Sequence, residues 1–247
     1  MARILIEGGY VVSIDVSDHV IEDGIVAIVD DRIHYIGERS NFDAPASNAE
    51  KTIPAKDRAV LPGLINTHIH LIGAHLKGVT MSHTRYHVAK RGNFLRIEKA
   101  YPKSINMLLG SDWCSNDLWP YMKLAILVPR TITGNVEMLS GWHALEMATM
   151  GGARSLGMAD EIGSLEAGKN SDIILMEISR QSFRPVRAEN LCSNLVYNAT
   201  GTDVSDVYVD ENPTVQDRDV MTIDRAEMNR KVQHRAEAIW ARAEKNF

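Results

Sequence analysis

Residues 61–70, LPGLINTHIH, constrain this chain most, because an apolar run ends there in two histidines one residue apart. The run predicts a buried strand. Residues i and i+2 of a strand point to the same side, so His68 and His70 could bind one metal ion. Either histidine could instead be a hydrogen-bonded core residue, because a His-x-His pair alone is a weak motif.

A second apolar run, residues 105–109, leads into Gly110-Ser111-Asp112 and predicts another strand that ends in a carboxylate. Asp112 follows His70 by only 42 residues. A (β/α)8 barrel uses about 30 residues per unit, so its first and eighth strands are separated by roughly 200 residues. If the two runs are these strands, about five barrel units are absent between them.

Composition excludes several classes of function. The chain is 45% hydrophobic and 24% charged, as in ordinary globular proteins, and its net charge of −5 gives no general attraction to nucleic acid or anionic membranes. Glu7 interrupts the N-terminal run too early for a signal peptide, and no apolar run approaches the ~20 residues of a membrane span. The two cysteines, Cys114 and Cys192, do not make a disulfide framework. We therefore expect a cytoplasmic protein without nucleic-acid or membrane partners.

Both ends of the chain are predicted to be rich in β-strands. Residues 1–57 contain short apolar runs, broken at Gly8-Gly9 and joined by a hairpin around Asp30-Asp31-Arg32. Residues 164–247 have the same character and finish in an amphipathic helix over residues 225–245. Neither end has enough strands for a domain of its own, so we predict one composite β-sandwich domain from 1–57 and 164–247.

The middle of the chain, residues 58–163, is predicted to combine buried strands with two helices. Residues 118–128 form the first helix. Residues 140–155 form the second, with Ser140 as its expected N-cap and Gly157 as its expected stop. The fold class is therefore α/β.

Taken in order, these segments resemble the amidohydrolase superfamily. The resemblance rests on residues 61–70, on residues 109–117, on the helix signature in 144–157 and on the Gly-Lys turn in 162–172. It is strongest toward the branch of cytosine, guanine and adenosylhomocysteine deaminases and triazine chlorohydrolases. That branch combines a (β/α)8 TIM barrel with a β-sandwich built from both chain ends. The resemblance implies this fold with an incomplete barrel, in which 58–163 contains strands 1, 7 and 8 and the final helices.

The chain also departs from the family pattern. Family members have further metal-binding histidines on strands 5 and 6 and a proton-shuttling glutamate near the first of these, and no position here matches them. Residues 81–87 resemble the end of strand 7, so the absent segment would be located close to Thr80 and Met81. His83 and His87 could form a metal-binding pair on a helix, or lie in a loop near the substrate or on the surface.

The resemblance implies a metal-dependent hydrolase that removes an amino group, or a halide, from a small N-heterocycle. His68, His70 and Asp112 would bind a divalent metal, with zinc expected first and Fe²⁺ or Mn²⁺ as alternatives. Asp112 would also be the catalytic proton carrier, unless it is a helix N-cap or a turn carboxylate. His83 and Trp113 would contact the substrate, although packing is the commoner role of tryptophan.

A second hypothesis belongs to another class. The chain could be a non-catalytic remnant or interaction module of the same family, with weak or absent metal binding. Relatives in this branch are often dimers or larger, so we expect a homo-oligomer whose ligand is a small heterocyclic substrate.

Overall fold

The computed structural model describes residues 4–17, 19–42, 49–69, 97–103, 105–112 and 115–244. Within them the strands are β1 (Ile4–Val12), β2 (Val20–Val29), β3 (Arg32–Glu38), β4 (Lys51–Pro54), β5 (Arg58–Pro62), β6 (Ile173–Glu177), β7 (Val204–Val209), β8 (Asn212–Gln216) and β9 (Asp219–Val220). The helices are α1 (Ile97–Ala100), α2 (Trp119–Thr133), α3 (Gly141–Ala148), α4 (Met150–Leu156), α5 (Ala188–Asn198) and α6 (Arg225–Glu244).

Strands from both ends of the chain join in one sheet. Its order is β3-β2-β1-β5-β6-β7-β8-β9, and β4 pairs with β1. β5 is the junction, because it lies parallel to β1 and antiparallel to β6. The mixed α/β class is confirmed. In the described part of the chain the sheet is open and continuous, so the closed barrel, the β-sandwich and the domain boundaries stay predictions.

The side chains of β5 alternate between two of the three buried clusters of the described core. Ala59 and Leu61 pack with α2, α3 and α5 on one face of the sheet. Val60 points to the other face and packs with side chains of β1, β2 and β3. The strand is buried on both faces, which explains why its sequence is an unbroken apolar run.

β1 is a single strand where the sequence predicted two. Gly8 has φ +82°, and the pairing with β2 shifts register between Glu7 and Gly9. A Cβ on Gly9 would lie 2.7 Å from the carbonyl oxygen of Ala55. The glycines therefore form a β-bulge with a close backbone approach, and the strand continues through them. The predicted hairpin is confirmed, with Asp30 in the left-handed region between β2 and β3.

The central helices differ from prediction in their bounds. α2 continues through Pro129 and ends at Gly134, which has φ +69°. The predicted helix over 140–155 is two helices, α3 and α4, separated at Thr149. Ser140 is confirmed as the N-cap, since its hydroxyl accepts a hydrogen bond from the His143 amide, and Gly157 is confirmed as the stop.

The helix α5 was not predicted, because residues 164–224 were expected to contain only strands. Its inner face consists of Leu191, Leu195 and Val196, which are buried. Asparagine and serine occupy much of the remaining surface and favour helices weakly, so the apolar period is short and faint.

The C-terminal helix was predicted correctly, and α6 covers Arg225–Glu244. Its apolar positions are largely exposed, with Met228 at 43% and Trp240 at 41%. No helix in the described ranges has both the length and the apolar character that crossing a bilayer requires.

A charged cluster ties the sheet together at its junction. The Arg58 guanidinium on β5 donates to Glu177 on β6 at 2.8 Å and to Asp206 on β7 at 3.1 Å. The Asp206 side chain is only 6% exposed. Since a buried carboxylate needs a compensating charge, Arg58 stabilises Asp206 and links β5, β6 and β7 through their side chains.

We predict that Arg58→Met lowers the free energy of unfolding by about 3 kcal/mol, because it leaves Asp206 buried without its cation. Urea denaturation would measure this. The control is Lys231→Met, which removes an exposed ion pair with Glu227 on α6 and should change stability by less than about 0.5 kcal/mol. Equal effects of the two substitutions would contradict the role of Arg58.

A second polar cluster holds the turn that precedes β6. Lys169 is buried, and its ammonium group donates to the Ala159 carbonyl at 2.7 Å and to the Ser164 hydroxyl at 2.6 Å. It also lies 3.0 Å from the Glu166 carboxylate. The hydrogen bond from Ser164, followed by the contacts with Lys169, lowers the pKa of Glu166 below its ordinary value of 4.5.

This lowered pKa predicts a pH dependence of stability. A carboxyl group with a lower pKa in the folded state stabilises the fold above its unfolded pKa, and this contribution is lost as the pH falls through the folded pKa. Glu166→Gln should therefore be less stable than the wild type at pH 7, and the difference should close below pH 4.5. Urea midpoints at a series of pH values test this, and a constant difference down to the acid limit would contradict it.

Candidate metal and active site

Two extended segments lie side by side where the predicted site residues are found. Residues 63–69 continue from β5, and residues 105–112 run parallel to them, with a bridge between Ile69 and Asp112. The Thr67 amide donates to the Leu109 carbonyl at 3.3 Å, and the Asp112 amide donates to the His68 carbonyl at 2.8 Å. The two runs that were predicted as separate strands are thus neighbours in space.

Both segments are less regular than predicted. β5 ends at Pro62, and neither 63–69 nor 105–112 is a continuous strand. Their backbone amides also donate elsewhere: Ile65 to the Ala148 carbonyl at 2.8 Å, and Leu109 to the Met147 carbonyl at 3.1 Å. The end of α3 therefore takes part of the role that a neighbouring strand has in a sheet.

The break between α3 and α4 makes these carbonyls available. α3 ends at Ala148, and its C-cap Thr149 has a φ of −131° and a ψ of −89°, which are not helical. Since the last carbonyls of a helix have no partner within it, those of Met147 and Ala148 can accept from outside. The sequence prediction of one unbroken helix missed this break, because no proline or helix-stop pattern marks it.

Two glycines at the start of α4 allow the close approach. A Cβ on Gly151 would lie 2.1 Å from the Met107 carbonyl oxygen, and one on Gly152 would lie 2.7 Å from the Ile65 side chain. Glycine is needed at both positions because any side chain would push α4 away from the two segments.

His68 and Asp112 meet at the carboxyl-terminal ends of the two segments. His68 Nε2 lies 3.2 Å from Asp112 Oδ1, and their side chains are 65% and 59% exposed. Two ligand atoms at about 2.0–2.1 Å from a tetrahedral zinc ion are separated by about 3.3 Å. The donor types and their separation therefore fit a divalent metal. Asp112 has φ +53°, a region that aspartate tolerates better than most residues.

Asp112 is not the N-cap of the following helix. α2 begins at Trp119, and the Trp119 amide donates to Asp117 Oδ1 at 3.0 Å. Asp117 Oδ2 also accepts from the Gly201 amide at 3.1 Å. Asp117 therefore has the structural turn role that was the alternative for Asp112.

The other predicted site residues lie outside the described residues. These are His70, His83, His87, Trp113 and Cys114. Their roles in metal or substrate binding stay predictions. In the part of the chain that is described, histidine, cysteine and acidic side chains form no group of three that could hold a metal ion.

A polar pair beside the site was not predicted from the sequence. Asn66 Nδ2 donates to Ser111 Oγ at 2.8 Å, and the Ser111 amide donates to Asn66 Oδ1 at 3.1 Å. A signal was present, because Asn66 interrupts an apolar run two residues before His68 and so belongs to the same side of the extended chain.

A cavity of about 590 Å³ lies at the other end of the second segment. Its polar groups are paired with one another: Tyr101 Oη lies 2.7 Å from His143 Nε2, and Arg154 donates to Glu146 at 2.8 Å. Neither His68 nor Asp112 belongs to its described lining. This cavity is therefore separate from the candidate metal site.

We predict that Gly110→Ala separates the two segments. Its Cβ would lie 2.6 Å from the His68 Cβ and 2.9 Å from the His68 amide nitrogen. Overpacking of this kind should cost about 1–3 kcal/mol in urea denaturation. Gly63→Ala is the matched control, since its Cβ would meet Asp172 at an ordinary 3.4 Å, and it should cost less than about 1 kcal/mol. Wild-type stability of Gly110→Ala would show that the segments are not in this contact.

Comparison with curated proteins gives deaminases as relatives. The 5-methylthioadenosine/S-adenosylhomocysteine deaminase of Shouchella clausii is 31% identical over 163 residues, which are 64% of this chain and 36% of the relative. The 5′-deoxyadenosine deaminase of Methanosarcina mazei is 33% identical over 171 residues, 67% of this chain and 39% of the relative. The chain thus spans little more than a third of the length of these relatives.

Solved structures show the same fold at lower sequence identity. An adenosine deaminase from Xanthomonas campestris with bound zinc superposes with a TM-score of 0.82 and 16% identity over 97% of this chain and 99% of that chain. The atrazine chlorohydrolase TrzN from Arthrobacter aurescens TC1, complexed with zinc, gives a TM-score of 0.74 and 15% identity over 94% and 100% of the two chains.

The amidohydrolase family model matches residues 75–214. This match covers more than half of the chain and includes Asp112, the helices α2 to α5 and the strands β6 and β7. It confirms the resemblance inferred from the sequence motifs, and the chain belongs to the amidohydrolase family.

Proposed function

We propose that this chain forms part of the active site of a metal-dependent hydrolase that deaminates an aminopurine nucleoside. The proposal rests on one observation, the approach of His68 Nε2 to Asp112 Oδ1 within 3.2 Å at the ends of two parallel segments. Barrel enzymes place their sites at the carboxyl-terminal ends of their strands, and imidazole and carboxylate are ligands that divalent metals accept.

The names of the relatives support the proposed substrate class. The curated relatives are named as deaminases of 5-methylthioadenosine, S-adenosylhomocysteine and 5′-deoxyadenosine, all of which carry an aminopurine. The triazine hydrolases resemble this chain in fold alone, since TrzN is only 15% identical in sequence. Deamination is therefore favoured over removal of a halide. Zinc is the favoured metal because two structural neighbours contain it.

His68, His70 and Asp112 would bind the metal, and Asp112 would also transfer the proton. A divalent metal bound by His68, His70 and Asp112 would supply a Lewis acid that lowers the pKa of water toward neutrality. The Asp112 carboxylate is exposed and would accept a proton from the attacking water and return it to the leaving amino group. Water thereby replaces the amino group on the ring carbon, and ammonia leaves.

The alternative is a non-catalytic member of the family. It is favoured by the short alignment, which covers 36% of the Shouchella clausii deaminase. This alternative predicts neither stoichiometric zinc nor release of ammonia.

We predict that the purified chain binds about one zinc ion and releases ammonia from 5′-deoxyadenosine or 5-methylthioadenosine. His68→Ala should remove most of the zinc. Asp112→Asn should lower turnover at least about 100-fold, because the amide cannot carry the proton. Metal analysis, chelator competition and an ammonia assay would measure these effects.

The control is His34→Ala, an exposed histidine on β3, which should leave zinc binding and turnover unchanged. A wild-type chain with neither zinc nor ammonia release would support the non-catalytic alternative. Bound zinc with full turnover in Asp112→Asn would instead contradict the role of Asp112, and release of chloride from atrazine without deamination would reverse the choice of substrate.

A further inference from the structure

The reciprocal pair of Asn66 and Ser111 lies directly beside the candidate metal ligands. Asn66 precedes His68 by two residues, and Ser111 immediately precedes Asp112. Both polar atoms of the Asn66 amide are used, with bonds of 2.8 Å to the Ser111 hydroxyl and 3.1 Å from the Ser111 amide. Ser111 is only 1% exposed and Asn66 is half-buried, so the pair is partly shielded from water and its hydrogen bonds are stronger than fully exposed ones.

We propose that Asn66 and Ser111 are positioning residues that fix the register between the two segments and so place Asp112 against His68. Backbone hydrogen bonds alone do not specify a register, because every residue offers the same amide and carbonyl groups. A slip of one residue would send side chains to the opposite side. The side-chain pair forms only when Asn66 faces Ser111, and it therefore selects the observed alignment.

The backbone conformation of Asp112 is a second reason to expect that neighbouring side chains fix the register. Asp112 has φ +53°, a sparsely populated conformation that persists only when its surroundings hold it. Two hydrogen bonds do so: the Ser111 amide donates to Asn66, and the Asp112 amide donates to the His68 carbonyl at 2.8 Å. Loss of the Asn66 amide would release the first bond and weaken the geometry on which the second depends.

The register can be tested in the metal-free protein. Asn66→Ala should accelerate hydrogen exchange of the Asp112 amide about tenfold or more, relative to the Val60 amide in β5. Ser111→Ala should have a smaller effect, because its backbone amide can still donate to Asn66. Asn106→Ala is the matched control: it removes a 2.9 Å bond to the Gly151 carbonyl at the other end of the same segment and should leave Asp112 exchange unchanged.

The consequence for the site rests on the proposed function and needs a metal readout. Zinc affinity, measured by chelator competition, should fall about 10-fold to 100-fold in Asn66→Ala and stay at the wild-type value in Asn106→Ala. The visible spectrum of the Co²⁺-loaded protein should change in Asn66→Ala, because the carboxylate and imidazole no longer meet in the same geometry.

Hydrogen exchange and metal binding together distinguish a failure of the register role from a failure of the proposed function. Unchanged exchange at Asp112 in Asn66→Ala would overturn the register role, whether or not the wild type binds zinc. Faster exchange together with wild-type zinc affinity and Co²⁺ spectrum would overturn the positioning of the ligands and leave a structural pair. If the wild type binds no zinc, the proposed function fails, and faster exchange still supports the register role. If Asn66→Ala does not fold, Ser111→Ala is tested in its place with a smaller expected acceleration, and unchanged exchange at Asp112 in that variant would overturn the register role.

Discussion

The site depends on the backbone carbonyls at the end of α3. Residues 63–69 and 105–112 have few strand-type bonds to each other, and their remaining amides need acceptors in the protein interior. The carbonyls of Met147 and Ala148 supply them, accepting from Leu109 at 3.1 Å and from Ile65 at 2.8 Å. A helix offers such unpaired carbonyls only at its end, so the break at Thr149 is a requirement of the site.

This arrangement explains why small and polar residues surround the site. Gly151 and Gly152 let α4 lie against the two segments, and Gly110 lets the segments lie against each other. Where the chain cannot rely on a regular ladder, the Asn66–Ser111 pair adds two hydrogen bonds across the segments. The positions of the His68 and Asp112 side chains thus depend on backbone contacts and glycine spacing, while Leu64, Met107 and Leu109 of the same segments pack against the apolar core.

The sequence predicted those features that depend on local patterns. The β2–β3 hairpin, the cap at Ser140, the stop at Gly157 and the helix α6 each follow from turn chemistry or from a period of 3.6 residues. Features that depend on distant partners were missed or misjudged. Gly8 and Gly9 were interpreted as a break because the bulge needs β2 and Ala55, and the division of the predicted helix over 140–155 depends on amides from two other segments. The pairing of Asn66 with Ser111 spans 45 positions and has no local pattern.

The approach of His68 to Asp112 agrees with the predicted resemblance of their two segments to strands 1 and 8 of an incomplete barrel. In a closed (β/α)8 barrel the first and eighth strands are neighbours, so the contact between them does not pass through the units in between. The sheet also brings distant parts of the chain together directly, because β5 pairs with β6. A chain that aligns with little more than a third of the length of its relatives therefore still brings His68 and Asp112 together. Within the described residues these two segments contribute two donor atoms, His68 Nε2 and Asp112 Oδ1, which lie 3.2 Å apart because the backbone hydrogen bonds between the segments hold them there.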